Sequence, residues 1–155
     1  MPPPGERVPD TIQALENVQN VWSRLKENSP IYQLLLSDIK IATASTAGRV
    51  MAYLTVKPVH LNSKGSVHGT VSACLVDWAG GMAIAATGLD KTGVSTDIHT
   101  TYVSTAGEGA FLEIEAEAKK VGKTLAFTTV EIRKMGDDGA RDIVATGTHT
   151  KYVKR

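Results

Sequence analysis

The sequence predicts an α+β domain in which a curved antiparallel sheet wraps around one long central helix. Residues 69–87 form a long apolar stretch that is rich in Ala and Gly, and strand patterns lie on both sides of it. No helical pattern separates the four strand patterns that follow, so the order differs from the alternating strands and helices of a doubly wound fold. The length of 155 residues fits one such domain.

Helical patterns come first in the chain. Residues 11–28 place apolar side chains three and four positions apart, which predicts an amphipathic helix with Asp10 as its N-cap. A second, shorter helical pattern runs over residues 30–36. We therefore expect residues 1–37 to form an N-terminal helical segment that packs on the main domain, residues 38–155.

Two short strand patterns and a loop precede the apolar stretch. Residues 40–46 and 49–57 predict strands, and Pro58 ends the second strand because proline cannot donate a ladder hydrogen bond. Residues 59–67 contain Gly65 and predict an irregular loop.

The central helix is predicted over residues 69–87, with Gly88 as its C-terminal signal. Its many small side chains would let a sheet approach closely. The stretch is nearly long enough to span a membrane, but Asp77 in its middle costs about 2.5–3.5 kcal/mol on insertion scales. We therefore expect a buried helix of a soluble protein, in which the carboxylate of Asp77 needs a partner or a function.

Four strand patterns complete the chain, over residues 93–105, 111–117, 125–134 and 142–153. The second of them alternates apolar residues with glutamates, which is typical of a strand with one buried face. A turn of Gly and Asp residues separates the last two strands.

Composition and charge exclude several functions. Lys and Arg total 17 against 16 Asp and Glu, so the net charge of +1 gives no electrostatic reason to bind nucleic acid or an anionic membrane. The first ten residues hold no apolar run, which argues against a secretory signal peptide. The single cysteine, Cys74, is interpreted as a buried hydrophobe in a reducing compartment, the cytoplasm or alternatively the mitochondrion.

Four polar or small residues at fixed spacing form the most informative pattern. Asn62 is followed six residues later by His68 and Gly69, and Asp77 lies eight residues after that glycine. The spacing resembles that of the hotdog-fold acyl-CoA thioesterases, in the branch of the phenylacetate-pathway thioesterases and thioesterase superfamily member 2. One departure is Thr70, which replaces the second glycine of the family's His-Gly-Gly turn and leaves the Gly69 amide available.

The resemblance covers about residues 40–153 and implies a hotdog fold. It continues through residues 94–98, 122–128 and 147–151. It implies hydrolysis of an acyl-CoA substrate in fatty acid metabolism, without a metal or a redox cofactor, since coenzyme A is part of the substrate. It also implies a homodimer with joined sheets and active sites at the subunit interface, and a homotetramer of two such dimers.

Thioester hydrolysis suits these residue types. The first amides of a helix point outward with partial positive charge, so the Gly69 N–H can polarise the thioester carbonyl. The side-chain amide of Asn62 can donate a second hydrogen bond. Asp77 can act as a nucleophile or as the general base for water, and the sequence leaves both roles open. The resemblance places Ser95 where it would orient the water or the substrate.

Further residues are expected to bind the substrate. The hairpin near Lys120 offers positive charge and exposed amides that suit the phosphates of coenzyme A. The resemblance adds the end of the strand near Tyr102 and the C-terminal strand near Tyr152 as walls of the coenzyme A channel. The expected set comprises His68, Thr70, Tyr102, Ser104, Thr105, Lys120, Gly122, Lys123, Thr124 and Tyr152.

Other chemistry is less well supported. His68, Cys74 and Asp77 provide too few ligands for a metal ion. A hotdog dehydratase or hydratase would rely on a catalytic histidine in a different motif, which residues 58–69 do not match. A non-catalytic acyl-CoA-binding protein on the same fold would have no need of the carboxylate of Asp77. These two alternatives stay open beside hydrolysis.

Overall fold

The computed structural model describes residues 10–154, and two helices begin the described chain. α1 spans Asp10–Glu27 and α2 spans Pro30–Leu36. Asp10 lies in the first turn of α1 rather than before it, so the predicted helix begins one residue earlier than expected. The part of the predicted N-terminal segment before Asp10 lies outside the described residues, as does Arg155.

One six-stranded sheet and a long helix form the main body. The strands are β1 (Lys40–Ser45), β2 (Arg49–Thr55), β3 (Val94–Tyr102), β4 (Phe111–Val121), β5 (Leu125–Met135) and β6 (Arg141–Tyr152), and the helix is α3 (Gly69–Ala86). Neighbouring strands are antiparallel throughout, in the order β1-β2-β4-β5-β6-β3. A 3-10 turn at Pro58–His60 interrupts the loop predicted before α3. The predicted α+β class, with a curved antiparallel sheet around a central helix, is confirmed.

The helix α3 lies against the concave face of the sheet and contacts every strand. It is the one helix within residues 10–154 that is long and apolar enough to cross a membrane, and most of it is buried inside the fold. A β carbon placed at Gly80 would lie 2.6 Å from Oγ1 of Thr128 and 2.9 Å from Nδ1 of His149. The glycine therefore lets the helix backbone approach β5 and β6 more closely than any other residue would.

The N-terminal helices pack on this body. α1 buries Ala14, Val18, Val21 and Trp22 against α3 and β1. The ring of Trp22 meets Trp78 of α3 edge to face, with centroids 5.4 Å apart. α1 thereby lies beside β1, one of the two edge strands of the sheet.

The other edge strand, β3, is open on its outer side. Every residue of β3 except Thr100 is exposed, and the exposed residues include the apolar side chains of Val94 and Ile98. Sheet edges of this kind present unpaired backbone groups and are places where another strand can add.

Glu113 of β4 departs from the expected alternation. Its side chain belongs to the face predicted to meet solvent, yet it is only 1% exposed. Nη1 of Arg133 lies 3.1 Å from one carboxylate oxygen, and Nη2 of Arg141 lies 3.6 Å from the other. The hydroxyl of Tyr53 donates to the same carboxylate at 3.3 Å. Long side chains from β2, β5 and β6 thus cover the carboxylate, which the alternation within β4 alone does not reveal.

Candidate active site

The side chain of Asp77 is partly buried, with 30% of its surface exposed. It sits in the middle of α3, whose other buried residues are apolar or small. The hydroxyl of Tyr32 in α2 donates a hydrogen bond to Oδ2 at 2.5 Å. The remaining oxygen, Oδ1, faces Ser95 of β3 and His149 of β6.

Ser95 connects the carboxylate to a buried histidine. Its Oγ lies 3.4 Å from Oδ1 of Asp77 and 2.7 Å from Nε2 of His149, while Nε2 is 3.7 Å from Oδ1. Nδ1 of His149 is buried and has no hydrogen-bond partner among the described residues. An Nε2–H that donates to Ser95, whose hydroxyl donates to Asp77, satisfies these distances. The resemblance predicts that Ser95 orients the water or the substrate, and the structure places its hydroxyl beside the Asp77 carboxylate.

Burial and charge set the ionisation of the groups around Asp77. Burial lowers the pKa of His149, and the nearby charge of Lys151 lowers it further, against the opposing effect of Asp77. Burial also lowers the pKa of the Lys151 ammonium, which is 5% exposed, and Asp77 opposes this shift. Burial and the Asp77 carboxylate raise the pKa of the Cys74 thiol to about 12, so that Cys74 stays a neutral thiol. Burial thus disfavours the charged forms of both His149 and Lys151, and the Asp77 carboxylate opposes this effect in each case.

A second group of candidate residues surrounds the first turn of α3. The Nδ1 atom of His68 accepts a hydrogen bond from the Thr70 amide at 3.0 Å and caps the helix. The hydroxyl of Tyr102 donates to the Gly69 carbonyl at 3.1 Å. A β carbon at Gly69 would lie 3.3 Å from the Tyr102 ring, so glycine keeps this approach open. The Gly69 amide lies in the first turn, where amides lack intrahelical partners.

Asn62 lies in the loop before this turn, and the two polar atoms of its side-chain amide, Oδ1 and Nδ2, differ in their contacts. Oδ1 accepts hydrogen bonds from the amides of Lys64 at 2.9 Å and Ser66 at 3.1 Å, which shape the loop. Nδ2 makes no hydrogen bond within the described part of the chain. This nitrogen is the donor that the sequence assigns to a thioester carbonyl, and it remains available.

The predicted substrate-binding residues divide between the two ends of β3. Tyr102, Ser104 and Thr105 lie at its C-terminal end, beside the start of α3, where the Ser104 hydroxyl donates to the Ile143 carbonyl at 2.6 Å. Lys120, Gly122, Lys123, Thr124 and Tyr152 lie at the other end, where the β4–β5 hairpin meets the end of β6. The backbone amide of Val153 donates to the Thr124 carbonyl at 2.7 Å and holds this end together.

Comparison with known proteins identifies the family. The family model described as "Thioesterase superfamily" matches residues 64–140. The acyl-coenzyme A thioesterase 13 of Homo sapiens is 35% identical over 122 residues, which cover 79% of this chain and 84% of the human protein. The chain belongs to the thioesterase superfamily. The mouse acyl-coenzyme A thioesterase 13 is 32% identical and covers 91% of this chain and 95% of its own.

Solved thioesterase structures share the fold. Zebrafish thioesterase superfamily member 2 superimposes with a TM-score of 0.77 and 33% identity, over 89% of this chain and 96% of that chain. A thioesterase protein from Streptococcus pneumoniae, solved with coenzyme A, gives a TM-score of 0.69 and 25% identity, over 77% and 88% of the two chains. The predicted hotdog family is confirmed.

Three residues of this thioesterase-superfamily site were not singled out by the sequence. Tyr32 reaches Asp77 from a helix 45 residues earlier, and no local pattern marks it. His149 and Lys151 share the inward face of β6 with buried Ala145 and Gly147, so the strand alternation offered a signal for both. Residues 147–151 contributed to the prediction only through their resemblance to the family.

Proposed function

We propose that this chain hydrolyses acyl-CoA thioesters to a free carboxylic acid and coenzyme A. The single observation that carries the proposal is the carboxylate of Asp77, set in an apolar helix with Oδ1 facing Ser95 and His149. A pure binding protein would keep such a partly buried charge at a cost in stability and without a benefit. The names of the human and mouse relatives support an acyl-CoA substrate.

In the proposed reaction, the Gly69 amide and Nδ2 of Asn62 donate to the thioester carbonyl oxygen and stabilise the negative charge that develops there. Asp77 then acts in one of two ways. As a general base, it takes a proton from water, whose oxygen adds to the carbonyl carbon. As a nucleophile, Oδ1 adds to that carbon and forms an anhydride, which water hydrolyses. In both routes the carbon–sulfur bond breaks and coenzyme A leaves as a thiolate that gains a proton.

A complete site needs a second copy of the chain. Gly69 and Asp77 are eight helical residues apart, a separation of roughly 12 Å along the axis, whereas reacting atoms must approach to about 3–3.5 Å. Two copies joined antiparallel at the open edge of β3 would set the Ser95 end of one strand against the Tyr102 end of the other. Asp77 of one copy would then face the Gly69 turn of the second copy, and the pair would form two equivalent sites.

The finer features of the proposal are a homotetramer of two such dimers, located in the cytoplasm, with a role in fatty acid metabolism. The neutral, buried thiol of Cys74 fits a reducing compartment. The proposed hydrolysis uses neither a metal nor a redox cofactor, because the carboxylate, the amides and water supply the chemistry.

The test is the release of coenzyme A thiol from a series of acyl-CoA substrates of increasing chain length. The control variant is Asp77→Asn, which keeps the size of the side chain and removes its charge. We expect turnover by the wild-type chain and a loss of several orders of magnitude in Asp77→Asn, with acyl-CoA binding and melting temperature retained. A folded wild-type chain that binds acyl-CoA and releases no thiol would support a binding protein instead.

A further inference from the structure

Tyr32 is an unexpected member of the site. It belongs to α2 of the N-terminal segment, whereas Ser95, His149 and Lys151, which also interact with the Asp77 carboxylate, belong to the sheet. Its hydroxyl donates to Oδ2 of Asp77 at 2.5 Å. The N-terminal helices therefore do more than cover the core, because they deliver a hydrogen-bond donor to the carboxylate proposed to be catalytic.

The ring of Tyr32 is held by contacts that do not involve the hydroxyl. It meets the ring of Trp22 edge to face, with centroids 5.6 Å apart and planes at 62°. Trp22 in turn packs edge to face on Trp78 of α3. The amide of Tyr32 also donates to Oγ of Ser29, the N-cap of α2, at 3.4 Å. The hydroxyl can thus be removed while the ring keeps its anchors.

The hydrogen bond makes the two carboxylate oxygens of Asp77 unequal. Oδ2 accepts a hydrogen bond of 2.5 Å from Tyr32, whereas Oδ1 accepts a longer one of 3.4 Å from Ser95 and lies 3.7 Å from Nε2 of His149. Burial raises the pKa of the Tyr32 hydroxyl, and the hydrogen bond and charge of Asp77 raise it further. The hydroxyl therefore remains a protonated donor throughout the pH range in which the enzyme would work.

We propose that Tyr32 is a positioning residue that fixes the Asp77 carboxylate through Oδ2 and leaves Oδ1 as the oxygen that reacts. This inference rests on the proposed thioesterase function. A donor at Oδ2 prevents rotation of the carboxylate and favours its ionised form. Both effects serve a base or a nucleophile, which must be ionised and correctly oriented in order to act.

Several other titratable groups interact with the Asp77 carboxylate. Cys74 lies on the preceding turn of α3 as a neutral thiol, and His149 and Lys151 approach from β6. None of these groups lies on α2, and none is changed by a substitution at Tyr32. A change in pH dependence in a Tyr32 variant therefore reports on the hydroxyl.

The experiment compares the pH profile of acyl-CoA turnover in the wild-type chain and in Tyr32→Phe. Loss of a hydrogen bond to a charged group should lower kcat/KM by about tenfold at neutral pH. The acid limb of the profile should move to higher pH, because the carboxylate loses a donor that favours its ionised form. The position of this limb does not depend on the amount of active protein.

Two further variants separate the hydroxyl from packing. Tyr53→Phe removes a phenol hydroxyl that donates to the buried Glu113 on the opposite face of the sheet, and it should leave both the rate and the acid limb unchanged. Trp22→Phe loosens the ring packing and keeps the Tyr32 hydroxyl, so it should lower the melting temperature without moving the acid limb.

Failure of the proposed thioesterase function and failure of the proposed role of Tyr32 give different results. If the wild-type chain releases no thiol from acyl-CoA, the proposed function fails, and this inference fails with it. If the wild-type chain is active and Tyr32→Phe has the same rate and acid limb, only the role of Tyr32 is overturned. A Tyr32→Phe chain that does not fold, or whose acid limb matches that of wild type, also overturns it, because the hydroxyl would then be structural.

Discussion

Gly69 and Asp77 lie on the same helix, too far apart along its axis for both to contact one thioester carbonyl group. Gly69 begins α3, and Asp77 lies two turns further on, at a distance of roughly 12 Å along the axis. Around Gly69 stand Asn62 and His68, and around Asp77 stand Ser95, His149 and Tyr32. If the proposed dimer forms, each chain supplies one half of two shared sites, and this can be tested with mixed dimers.

The first prediction concerns complementation between two inactive variants. Asp77→Asn and Asn62→Asp should each be nearly inactive alone. After mixing and subunit exchange, mixed dimers contain one site with both original residues, so about a quarter of the wild-type specific activity should return. Turnover measured before and after exchange, beside light scattering, checks the result. A mixture that stays inactive despite proven exchange would place both residues in a site within one chain.

The second prediction separates the two ends of the Asn62 side chain. Asn62→Asp keeps the Oδ1 acceptor that binds the amides of Lys64 and Ser66, and it replaces the Nδ2 donor by an acceptor. Turnover should fall by about 10²-fold, the scale of losing one oxyanion donor, while the melting temperature is retained. The neighbouring exposed Ser63→Ala serves as the control and should match wild type. Near wild-type turnover by Asn62→Asp would remove Nδ2 from the mechanism.

Much of the fold could be predicted from the sequence, and so could the part of the site between Asn62 and Asp77. The apolar stretch around Asp77 and the spacing from Asn62 to Asp77 are local features, and both predict their positions on α3 and its entry loop. Tyr32 and His149 could not be placed in this way, because helix packing and strand pairing bring them to Asp77 from 45 and 72 positions away in the chain. The buried state of Glu113 also depends on cross-strand neighbours that a single strand does not specify.

The third prediction concerns the buried carboxylate of Glu113. Arg133→Met removes the ion pair at 3.1 Å and leaves a charge in a side chain that is 1% exposed. The free energy of unfolding should fall by about 3 kcal/mol, because the buried Glu113 carboxylate loses its shortest ion pair and Arg133 also loses Glu115 and Glu131. Arg141→Met removes a longer contact from a side chain that is 57% exposed, and it should cost less than about 1 kcal/mol. Urea unfolding of both variants checks this, and equal losses would contradict it.

The fourth prediction concerns pH and His149. Because its pKa is lowered in the folded state, the unfolded chain binds a proton more readily as the pH falls below about 6.5. This residue therefore contributes stability at neutral pH that is lost as the pH falls from there through the lowered pKa of the folded state. His149→Gln should show a smaller fall in melting temperature between neutral and mildly acidic pH than wild type.

Identical acid sensitivity in wild type and His149→Gln would mean that His149 does not resist protonation in the folded protein. Thermal unfolding at several pH values, in buffers of equal ionic strength, provides the comparison. Because acidic side chains elsewhere also titrate in this range, the difference between the curves carries the result rather than either curve alone.

Close packing between α3 and the sheet at Gly80 controls the position of Asp77 relative to Ser95. At this glycine the backbone of α3 packs directly on Thr128 and His149. The distance between α3 and the sheet therefore determines the distance between Asp77 on the helix and Ser95 on the sheet. An added methyl group would raise the helix at a cost of about 1–3 kcal/mol, which a domain of this size can survive. A displacement of 1 Å in a reacting group can reduce a rate by about 10²-fold. A substitution at Gly80 should therefore reduce turnover by a larger factor than it reduces the stability of the fold.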